Sequence, residues 1–343
     1  MNRLRFFILV FFLALLFWGG ANISRDLESA FDSVKVSVLN SLNVKKFYSE
    51  LLERIDLERE REYRIIFVGD IMLSREVGRQ IKINSDPRFP FLKIADFLNS
   101  GDLVFGNLEG PISERGKNQG SIYSFRADPQ TVHGLKFAGF DGLFLANNHI
   151  FDWGEIALID TIDTLKNNGI QTVGAGKEYK SANEPVIFEI GNSTIGFLAY
   201  TNLYPEGLKA TVESAGVSFF NLGFIEDQIA ELERRVDLVV ISLHWGEEYE
   251  NKSNDNQKRI AKELIDSGAD VVVGHHPHVI QEVENYNNGW IAYSLGNFVF
   301  DQSFSEETMG GMALEVFVKN KSIQEVRPIY FRINSRFQPY LEE

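Results

Sequence analysis

The sequence predicts an α/β fold with a largely parallel sheet. From Tyr63 onward, short segments rich in β-branched and aliphatic residues alternate with longer amphipathic ones. The short segments are typical of buried strands, as in "RIIFVGD", "DLVFGNLE", "GLFLANNH", "DLVVISLHWG", "DVVVGHHPH" and "WIAYSLGN". Between them, "EIALIDTIDTLKNNG" and "NQKRIAKELIDSGA" have helical spacing. Strands that alternate with helices favour parallel pairing.

One segment predicts an antiparallel component. In "PVIFEIGNSTIGFLAYT", two apolar runs flank Gly191 and Asn192, which are residues typical of a hairpin turn. The segment 312–333 adds further strand-like runs. We therefore expect a mixed arrangement around a parallel centre.

The composition limits the classes of function. The 343 residues are 44% hydrophobic and 24% charged, which is typical of a folded globular protein. The formal charge of −14 argues against a nucleic-acid partner, because such proteins favour a basic surface. The absence of cysteine excludes disulfides, thiolate zinc sites, iron–sulfur clusters and cysteine nucleophiles.

The N-terminus predicts an export signal. Arg3 and Arg5 precede an uninterrupted apolar run from Phe6 to Trp18. We expect residues 1–21 to be an uncleaved, single-pass signal anchor, although the run is shorter than the roughly 20 apolar residues of a typical span. A cleaved signal peptide is the alternative. Both place the remaining chain on the extracytoplasmic side of the cell membrane.

Three further regions are expected along the chain. Residues 22–62 include the densely charged "KFYSELLERIDLERERE" and predict a helical stalk or linker, with a partner-binding helix as the alternative. Residues 63–335 form the predicted domain. Residues 336–343 are expected to be a C-terminal tail.

Polar side chains follow several of the predicted strands, at the point where each strand ends. In open α/β sheets the carboxyl ends of parallel strands meet at one edge, where ligands bind. His133 is the one histidine elsewhere, and we expect it on a helix or its cap. The residues expected at the edge are Asp70, Asn107, Glu109, Asn147, Asn148, His149, His244, His275, His276, His278 and Asn297.

These residue types predict a metal site or an acid/base site. Carboxylates, amides and imidazoles without sulfur suit Mn, Fe, Zn or Mg, and we expect one or two divalent ions. In "HHPH", an extended backbone would direct His276 and His278 to the same side, with Pro277 restricting φ. Taken singly, each cluster also fits a turn or a packed structural histidine. No nucleophile elbow, phosphate loop or dinucleotide fingerprint is found.

Six motifs together resemble a known family. "FVGDIML", "VFGNLEGPIS", "LFLANNHIFDWG", "ISLHWGEEY", "VVVGHHPHVIQ" and "YSLGNFVFDQ" occur in this order. Residues 64–310 resemble the poly-γ-glutamate type of capsule-synthesis protein (CapA/PgsA), a branch of the calcineurin-like metallophosphoesterase superfamily. The resemblance implies a four-layer αββα sandwich, with two mixed sheets between helices and a binuclear metal site at the sheet edge.

The resemblance also implies roles for individual residues. His149 corresponds to the general acid of the superfamily, and Asp70 is assigned to the catalytic site as well as to the metal. Asn107 and Asn297 are further candidates for the site. His275 replaces the glycine of the final motif, and we leave it out. The implied metal ligands are Asp70, Glu109, Asn148, His244, His276 and His278.

Two positions depart from the superfamily pattern. Met72 stands where a metal-binding histidine is expected, and a thioether is a poor ligand for a hard cation. Asn107 stands where the bridging aspartate is expected, and Glu109 is the candidate replacement for that carboxylate. A mononuclear site, or chemistry other than phosphoester hydrolysis, is therefore an open alternative.

The function implied is assistance in the synthesis, export or processing of poly-γ-glutamate or a similar anionic polymer. The alternatives are a metal-dependent hydrolase of another extracytoplasmic phosphoester, a non-catalytic polymer-binding subunit, and a membrane-complex subunit that acts through residues 1–62. The expected partners are the polymer or phosphoester, the cytoplasmic membrane and membrane synthase subunits. Arg75 and Arg126 are candidates for binding carboxylate or phosphate groups, with ordinary solvated loop charge as the alternative.

Overall fold

The structure is a computed structural model that describes residues 61–203 and 208–342. The predicted signal anchor and nearly all of the predicted stalk lie outside these residues. Among the described residues, no helix has both the length and the apolar character needed to span a bilayer.

The first sheet has eight strands in the order β16-β15-β14-β1-β2-β3-β4, with β13 beside the end of β1. Strands β1 to β4 are parallel to one another, whereas β14, β15 and β16 add antiparallel pairs. Because β16 pairs with β15, this sheet continues beyond residue 335. Its strands are β1 (Tyr63–Ile71), β2 (Leu103–Leu108), β3 (Gly142–Phe144), β4 (Gln171–Val173), β13 (Asn297–Val299), β14 (Gly310–Lys319), β15 (Ser322–Ile333) and β16 (Pro339–Tyr340).

The second sheet has six strands in the order β11-β12-β10-β9-β7-β6. Its four central strands are parallel, and antiparallel hairpins form both edges. The predicted hairpin that turns at Gly191 and Asn192 is confirmed as β6–β7. The strands are β6 (Val186–Ile190), β7 (Ser193–Thr201), β9 (Leu238–His244), β10 (Val271–His275), β11 (Val283–Tyr286) and β12 (Gly289–Ala292), and a separate small sheet pairs β5 (Ala175–Gly176) with β8 (Gly216–Val217).

Helices connect the strands. The helix α7 begins at a capping box in which Asn254 and Gln257 satisfy each other's backbone N–H groups. His133 lies on α3 and is exposed, as expected for a residue outside the site. The helices are α1 (Arg75–Asn84), α2 (Ala95–Leu98), α3 (Val132–Phe137), α4 (Glu155–Asn167), α5 (Tyr179–Asn183), α6 (Leu222–Leu232) and α7 (Asp255–Asp266), with 3-10 turns at Phe89–Phe91, Pro129–Thr131 and Glu307–Met309.

The two sheets pack face to face between two layers of helices. The core between the sheets includes Phe105 of β2 and Phe197 of β7, whose rings stack at 4.1 Å. On the outer face of the first sheet, Leu143 shares a core with Leu158 of α4. On the outer face of the second, Ile241 shares a core with helices α6 and α7. Alternate residues of each strand face opposite layers, which produces the four-layer αββα sandwich.

The division into two sheets was not visible in the strand pattern. Buried parallel strands are continuous apolar runs whether they belong to one sheet or to two, so the pattern does not distinguish the two arrangements. The resemblance, rather than the periodicity, supplied the correct architecture. The strand pattern predicted a mixed arrangement around a parallel centre, and the structure has two mixed sheets, each with a parallel centre.

Strand register brings the candidate residues to one edge. Asp70 on β1 is in register with Asn107 on β2 and with Asn297 on β13. In the second sheet, His244 on β9 is in register with His275 on β10. Each sheet therefore presents a row of polar side chains where its central strands end.

The approach of β13 to β1 requires a glycine. The backbone N–H of Asp70 donates to the carbonyl oxygen of Gly296 at 3.0 Å. A Cβ atom on Gly69 would lie only 1.8 Å from that oxygen, so any side chain there would separate the two segments. The sequence "VGD" is thus needed to seat Asp70 beside Asn297.

Candidate metal centre

Asp70 is a fully buried carboxylate at the base of the site. Its Oδ1 accepts a hydrogen bond from Asn107 Nδ2 at 2.7 Å, and its Oδ2 lies 3.1 Å from His278 Nδ1. The backbone N–H of His276 donates to the same Oδ2 at 3.3 Å. Burial opposes ionisation, but His278 and Asn107 hold the pKa of Asp70 below its ordinary value. The site therefore contains a fixed negative charge.

Glu109 is a second buried carboxylate, and neither of its oxygens has a hydrogen-bond partner. Its Oε1 lies 3.6 Å from His278 Nε2 and 3.7 Å from His149 Nε2. Burial raises the pKa of Glu109 to about 7, against the opposing effect of His278. Buried carboxylates are normally paired, because an unpaired one loses its hydration without compensation. A cation would supply the missing partner.

His244 lies between two asparagine side chains. Its Nε2 is 2.8 Å from Asn148 Oδ1, and its Nδ1 is 3.3 Å from Asn107 Nδ2. Burial and the neighbouring histidines lower the pKa of His244 well below its ordinary value. The imidazole is therefore neutral, which is the form that ligates metals.

The loop after β10 brings His276 and His278 together by a route the sequence did not predict. Strand β10 ends at His275, and the φ angles of His276 and His278 are +100° and +59°. The expected extended geometry is therefore wrong, since both residues occupy the left-handed region. Their rings nevertheless lie 5.8 Å apart.

The two histidines have opposite protonation tendencies. Burial, together with His278, lowers the pKa of His276 to about 3, and its Nδ1 is buried without a partner. His278 Nδ1 lies 3.0 Å from Asn297 Oδ1. Burial disfavours charge on His278, but Glu109 and Asp70 raise its pKa to about 9. A metal that replaced this proton would be balanced by the same carboxylates.

His149 forms a dyad with Asp152. Its Nδ1 lies 2.8 Å from Asp152 Oδ2, which also accepts the backbone N–H of Phe125 at 2.8 Å. The Phe125 ring covers the imidazole at 4.1 Å. Burial by itself lowers the pKa of His149, but Asp152 and Glu109 outweigh it and raise this pKa above its ordinary value. The sequence reasoning missed Asp152, although its position three residues after His149 in "NHIFD" was a usable signal.

Asn147 organises the amide groups of the site. Its Nδ2 donates to Asn107 Oδ1 at 3.0 Å and to the carbonyl oxygen of Leu108 at 2.7 Å. Its Oδ1 accepts the backbone N–H groups of His149 and Ile150. Asn147 therefore fixes the turn that carries His149 to the end of β2.

Two groups of side chains are close enough to hold cations. Within each group the ligand atoms lie within 4.8 Å of one another. Carboxylate oxygen and imidazole nitrogen suit the predicted metals, and the unpartnered atoms of Glu109 and His276 show that these residues fit a cation. Glu248 was not predicted, although "HWGEEY" places it shortly after β9. The groups are Asp70, Glu109 and His244, and Glu248, His276 and His278.

Two neighbouring residues belong to neither group. The sulfur of Met72 accepts from the backbone N–H and the hydroxyl of Ser74, at 3.2 and 3.0 Å. His275 is buried, its ring nitrogens have no hydrogen-bond partner, and its Nδ1 lies 3.7 Å from Asp70 Oδ1. Burial lowers the pKa of His275 to about 4, so it adds no charge near neutrality.

The two arginines proposed for substrate binding have different surroundings. Arg75 pairs with buried Asp301 at 3.2 Å, and its guanidinium lies 5.5 Å from the centre of the Phe125 ring. Arg126 stacks on Trp153 at 3.5 Å and donates to carbonyl oxygens of the neighbouring loop. Arg75 is thus linked to the dyad through Phe125, whereas Arg126 is held against Trp153.

Comparison with known proteins identifies the family. The family model described as bacterial capsule synthesis protein PGA_cap matches residues 64–302. The capsule biosynthesis protein CapA of Bacillus anthracis is 38% identical over 256 residues, covering 72% of this chain and 62% of that protein. The PGA biosynthesis protein CapA of Bacillus subtilis is 33% identical over 268 residues, covering 77% of this chain and 70% of that protein.

A solved structure shares the fold. A hypothetical protein from Thermus thermophilus aligns with a TM-score of 0.51 at 16% identity, over 78% of this chain and 99% of that one. The family match covers more than half of the chain and contains every residue of the two candidate cation-binding groups. The chain belongs to the PGA_cap family of bacterial capsule synthesis proteins.

Proposed function

We propose that this protein is anchored in the cytoplasmic membrane by its N-terminal segment and faces the extracytoplasmic side. There it assists the synthesis, export or processing of poly-γ-glutamate or a similar anionic polymer through a metal-dependent hydrolytic site. Family membership and the name of the Bacillus subtilis relative, a PGA biosynthesis protein, support the polymer, and the name of the Bacillus anthracis relative supports a role in capsule biosynthesis. The proposed partners are the polymer and the membrane subunits of its synthase.

The single observation that carries the hydrolytic part is the environment of Glu109. This buried carboxylate has no hydrogen-bond partner and lies 3.7 Å from a histidine that Asp152 already orients. Asp70 adds a second buried carboxylate close by. Purely structural packing gives no reason to bury so many unpaired polar atoms together.

The residues that would hold a divalent cation are the two groups described above, with Asn148 beside His244. The chemistry that a bound ion supplies is Lewis-acid polarisation of a carbonyl or phosphoryl oxygen. The protein's own contribution is a mostly buried, pre-arranged set of charges at the sheet edge, which needs little reorganisation during the reaction.

His149 is proposed as the general acid. A carboxylate only accepts hydrogen bonds, so Nδ1 of His149 donates to Asp152 and Nε2 faces the site near Glu109. In the hydrolytic step a water oxygen attacks the carbonyl carbon or the phosphorus, the scissile C–N or P–O bond breaks, and the leaving group takes the proton from Nε2, while the proton that the water loses passes to solvent. The imidazole is then neutral, and the proton that remains on Nδ1 is still hydrogen-bonded to Asp152.

Arg75 and Arg126 are proposed to bind the carboxylates of the polymer. A protein with a formal charge of −14 repels a polyanion unless positive side chains lie near the cleft. Arg75 keeps 38% of its side chain exposed while lying against the ring that covers His149. It can therefore contact a polymer segment that reaches the dyad.

A metal-dependent phosphoesterase that acts on another extracytoplasmic substrate is the second candidate. The observation that favours it is the His149–Asp152 dyad beside two groups of metal-ligating side chains. Both candidates use the same residues and differ in the leaving group. Substrate choice therefore has to be measured.

The experiment uses the full chain in detergent with Mn²⁺. It is incubated with poly-γ-glutamate and, separately, with p-nitrophenyl phosphate, each with and without EDTA. EDTA-sensitive shortening of the polymer supports the proposal, and EDTA-sensitive cleavage of the phosphoester alone supports the second candidate. Polymer binding without turnover that survives His149→Ala would identify a binding subunit and contradict both hydrolytic functions.

A further inference from the structure

Glu248 lies in the loop after β9, next to the histidines of the β10 loop. One of its carboxylate oxygens and one ring nitrogen each from His276 and His278 lie within 4.8 Å of one another. We propose that Glu248, His276 and His278 form a second, solvent-accessible cation position, with Glu248 supplying the ligand that Met72 and Asn107 do not. This inference rests on the proposed metal dependence.

Met72 and Asn107, which stand where the superfamily pattern has metal ligands, already make other contacts. The sulfur of Met72 accepts from Ser74. Asn107 donates its Nδ2 to Asp70, and its Oδ1 accepts from Asn147. The thioether of Met72 is a poor ligand for a hard cation, and the Asn107 amide is held by these bonds and brings no negative charge. A second ion at this edge therefore needs a carboxylate from another segment.

His276 supplies an independent reason to expect a ligand. It is 7% exposed, and its Nδ1 is buried without a hydrogen-bond partner. The ring lies 4.9 Å from that of His244 and 5.8 Å from that of His278, measured between centroids. An imidazole with an unused ring nitrogen inside a cluster of histidines is suited to a cation.

Glu248 is held in place although it is exposed. The backbone N–H of the next residue, Tyr249, donates to the carbonyl oxygen of Pro277 at 2.8 Å. Pro277 separates the two histidines, so this bond ties the Glu248 segment directly to the ligand loop. The Tyr249 hydroxyl also accepts a hydrogen bond from Gln302 at 3.1 Å. A ligand on a fixed backbone loses less freedom when it binds.

The two positions differ in their access to solvent. Asp70, Glu109 and His244 are all buried, whereas Glu248 is exposed. A cation held by three buried ligands is separated from water, and one held partly by an exposed carboxylate is not. We therefore infer one tightly held ion and one ion that exchanges more readily.

Calorimetric titration of Mn²⁺ into the EDTA-stripped full chain in detergent tests this assignment, with no substrate present. The wild-type chain is expected to bind two ions with different affinities. Glu248→Gln should retain the tighter ion and weaken the second at least tenfold. Glu247→Gln is the matched control, because it removes the same charge from the adjacent exposed residue and should bind as wild type.

A second variant separates ligand loss from misfolding. His276→Ala should lose the same weaker ion, and the circular dichroism of each stripped variant should match wild type. The inference is overturned if Glu248→Gln and Glu247→Gln give the same two affinities, or if the wild-type chain binds a single ion. A chain that binds no Mn²⁺ would contradict the proposed metal dependence as well, so the two failures are distinguishable.

Discussion

Nδ1 of His149 lies 2.8 Å from Oδ2 of Asp152, and the imidazole so oriented directs Nε2 toward Glu109. The Asp152 carboxylate and the covering ring of Phe125 together restrain the imidazole in this orientation. An acid group that is fixed before substrate binds contributes more to catalysis than a mobile one.

Removal of this acid should lower turnover without weakening substrate binding. We expect His149→Ala to reduce kcat for polymer cleavage by about 10²–10⁴-fold, with KM little changed. Asp152→Asn should give a smaller loss, because the imidazole remains but is less well oriented. Asp163→Asn is the control, because it changes a half-exposed carboxylate that pairs with Lys177. Equal kcat values for Asp152→Asn and Asp163→Asn would contradict the role of the dyad.

Loss of Glu109 should reduce the stabilisation that metal confers on the fold. An ion at 100 times its Kd stabilises the folded chain by about 2.7 kcal/mol, which corresponds to a rise in Tm of roughly 5–10 °C for a domain of this size. We expect Glu109→Gln to lose most of this rise, as followed by thermal unfolding with and without Mn²⁺. The exposed Glu114→Gln is the control. A full metal-induced rise in Glu109→Gln would show that this carboxylate does not contact the ion.

Reversal of charge at the two arginines should weaken polymer binding. We expect Arg75→Glu and Arg126→Glu each to raise the Kd for poly-γ-glutamate about fivefold or more, and to flatten its salt dependence. Fluorescence anisotropy with labelled polymer measures both. Arg259→Glu on α7, where Arg259 pairs with Glu263, controls for the change in net charge. If Arg75→Glu and Arg126→Glu bind the polymer as strongly as Arg259→Glu does, the two arginines do not contact the polymer.

Asp270 should make stability depend on pH. Its carboxylate accepts the backbone N–H of Val239 at 2.7 Å, and burial raises its pKa to about 6. Because this folded-state pKa lies above the ordinary value of about 3.9, the folded chain binds the proton more tightly than the unfolded chain. The ionised carboxylate therefore costs stability above pH 6, and that cost disappears as the pH falls toward 4.

Urea unfolding at two pH values checks this dependence. At pH 8, Asp270→Asn should be more stable than wild type by up to about 3 kcal/mol, because it removes the buried charge and keeps an acceptor for Val239. At pH 4 the two should be nearly equal. The exposed Asp227→Asn should show no such difference between the two pH values. A destabilised Asp270→Asn at pH 8 would contradict the prediction.

Residues 1–21 should place the chain in the membrane. We expect the full chain to sediment with membranes, and its domain to be digested by protease added to intact spheroplasts. A chain without residues 1–21 should remain inside and be protected, with a cytoplasmic protein as the control for lysis. Full-length protein that is protected in intact spheroplasts would rule out the proposed orientation.

Much of the site could be predicted because many of its side chains lie at the carboxyl ends of strands. Asp70, His244 and the residues after β10 each follow an apolar run, and parallel strands deliver such residues to one edge whatever the sheet order. Residues that reach the site from turns carried weaker signals. Asp152 and Glu248 follow their histidines by a few residues, and the sequence alone does not show which loop residues fold back.

Backbone geometry was the part that the sequence could not supply. The "HHPH" segment contains proline and follows a strand, so an extended path was the reasonable expectation, yet His276 and His278 adopt positive φ. Tertiary contacts override local preference there, including the hydrogen bond from Tyr249 to Pro277. Metal ligands that depend on such contacts are recognised from the folded chain or from a family motif.

The metal content of the purified full chain tests the central claim most directly. After the stripped chain is equilibrated with Mn²⁺, Zn²⁺, Fe²⁺ or Mg²⁺ and dialysed, mass spectrometry of the metals should find at least one divalent ion per chain. Asp70→Asn should lose that ion, and the exposed Asp96→Asn should keep it. A wild-type chain that retains no ion under any of these conditions would contradict a metal-dependent site.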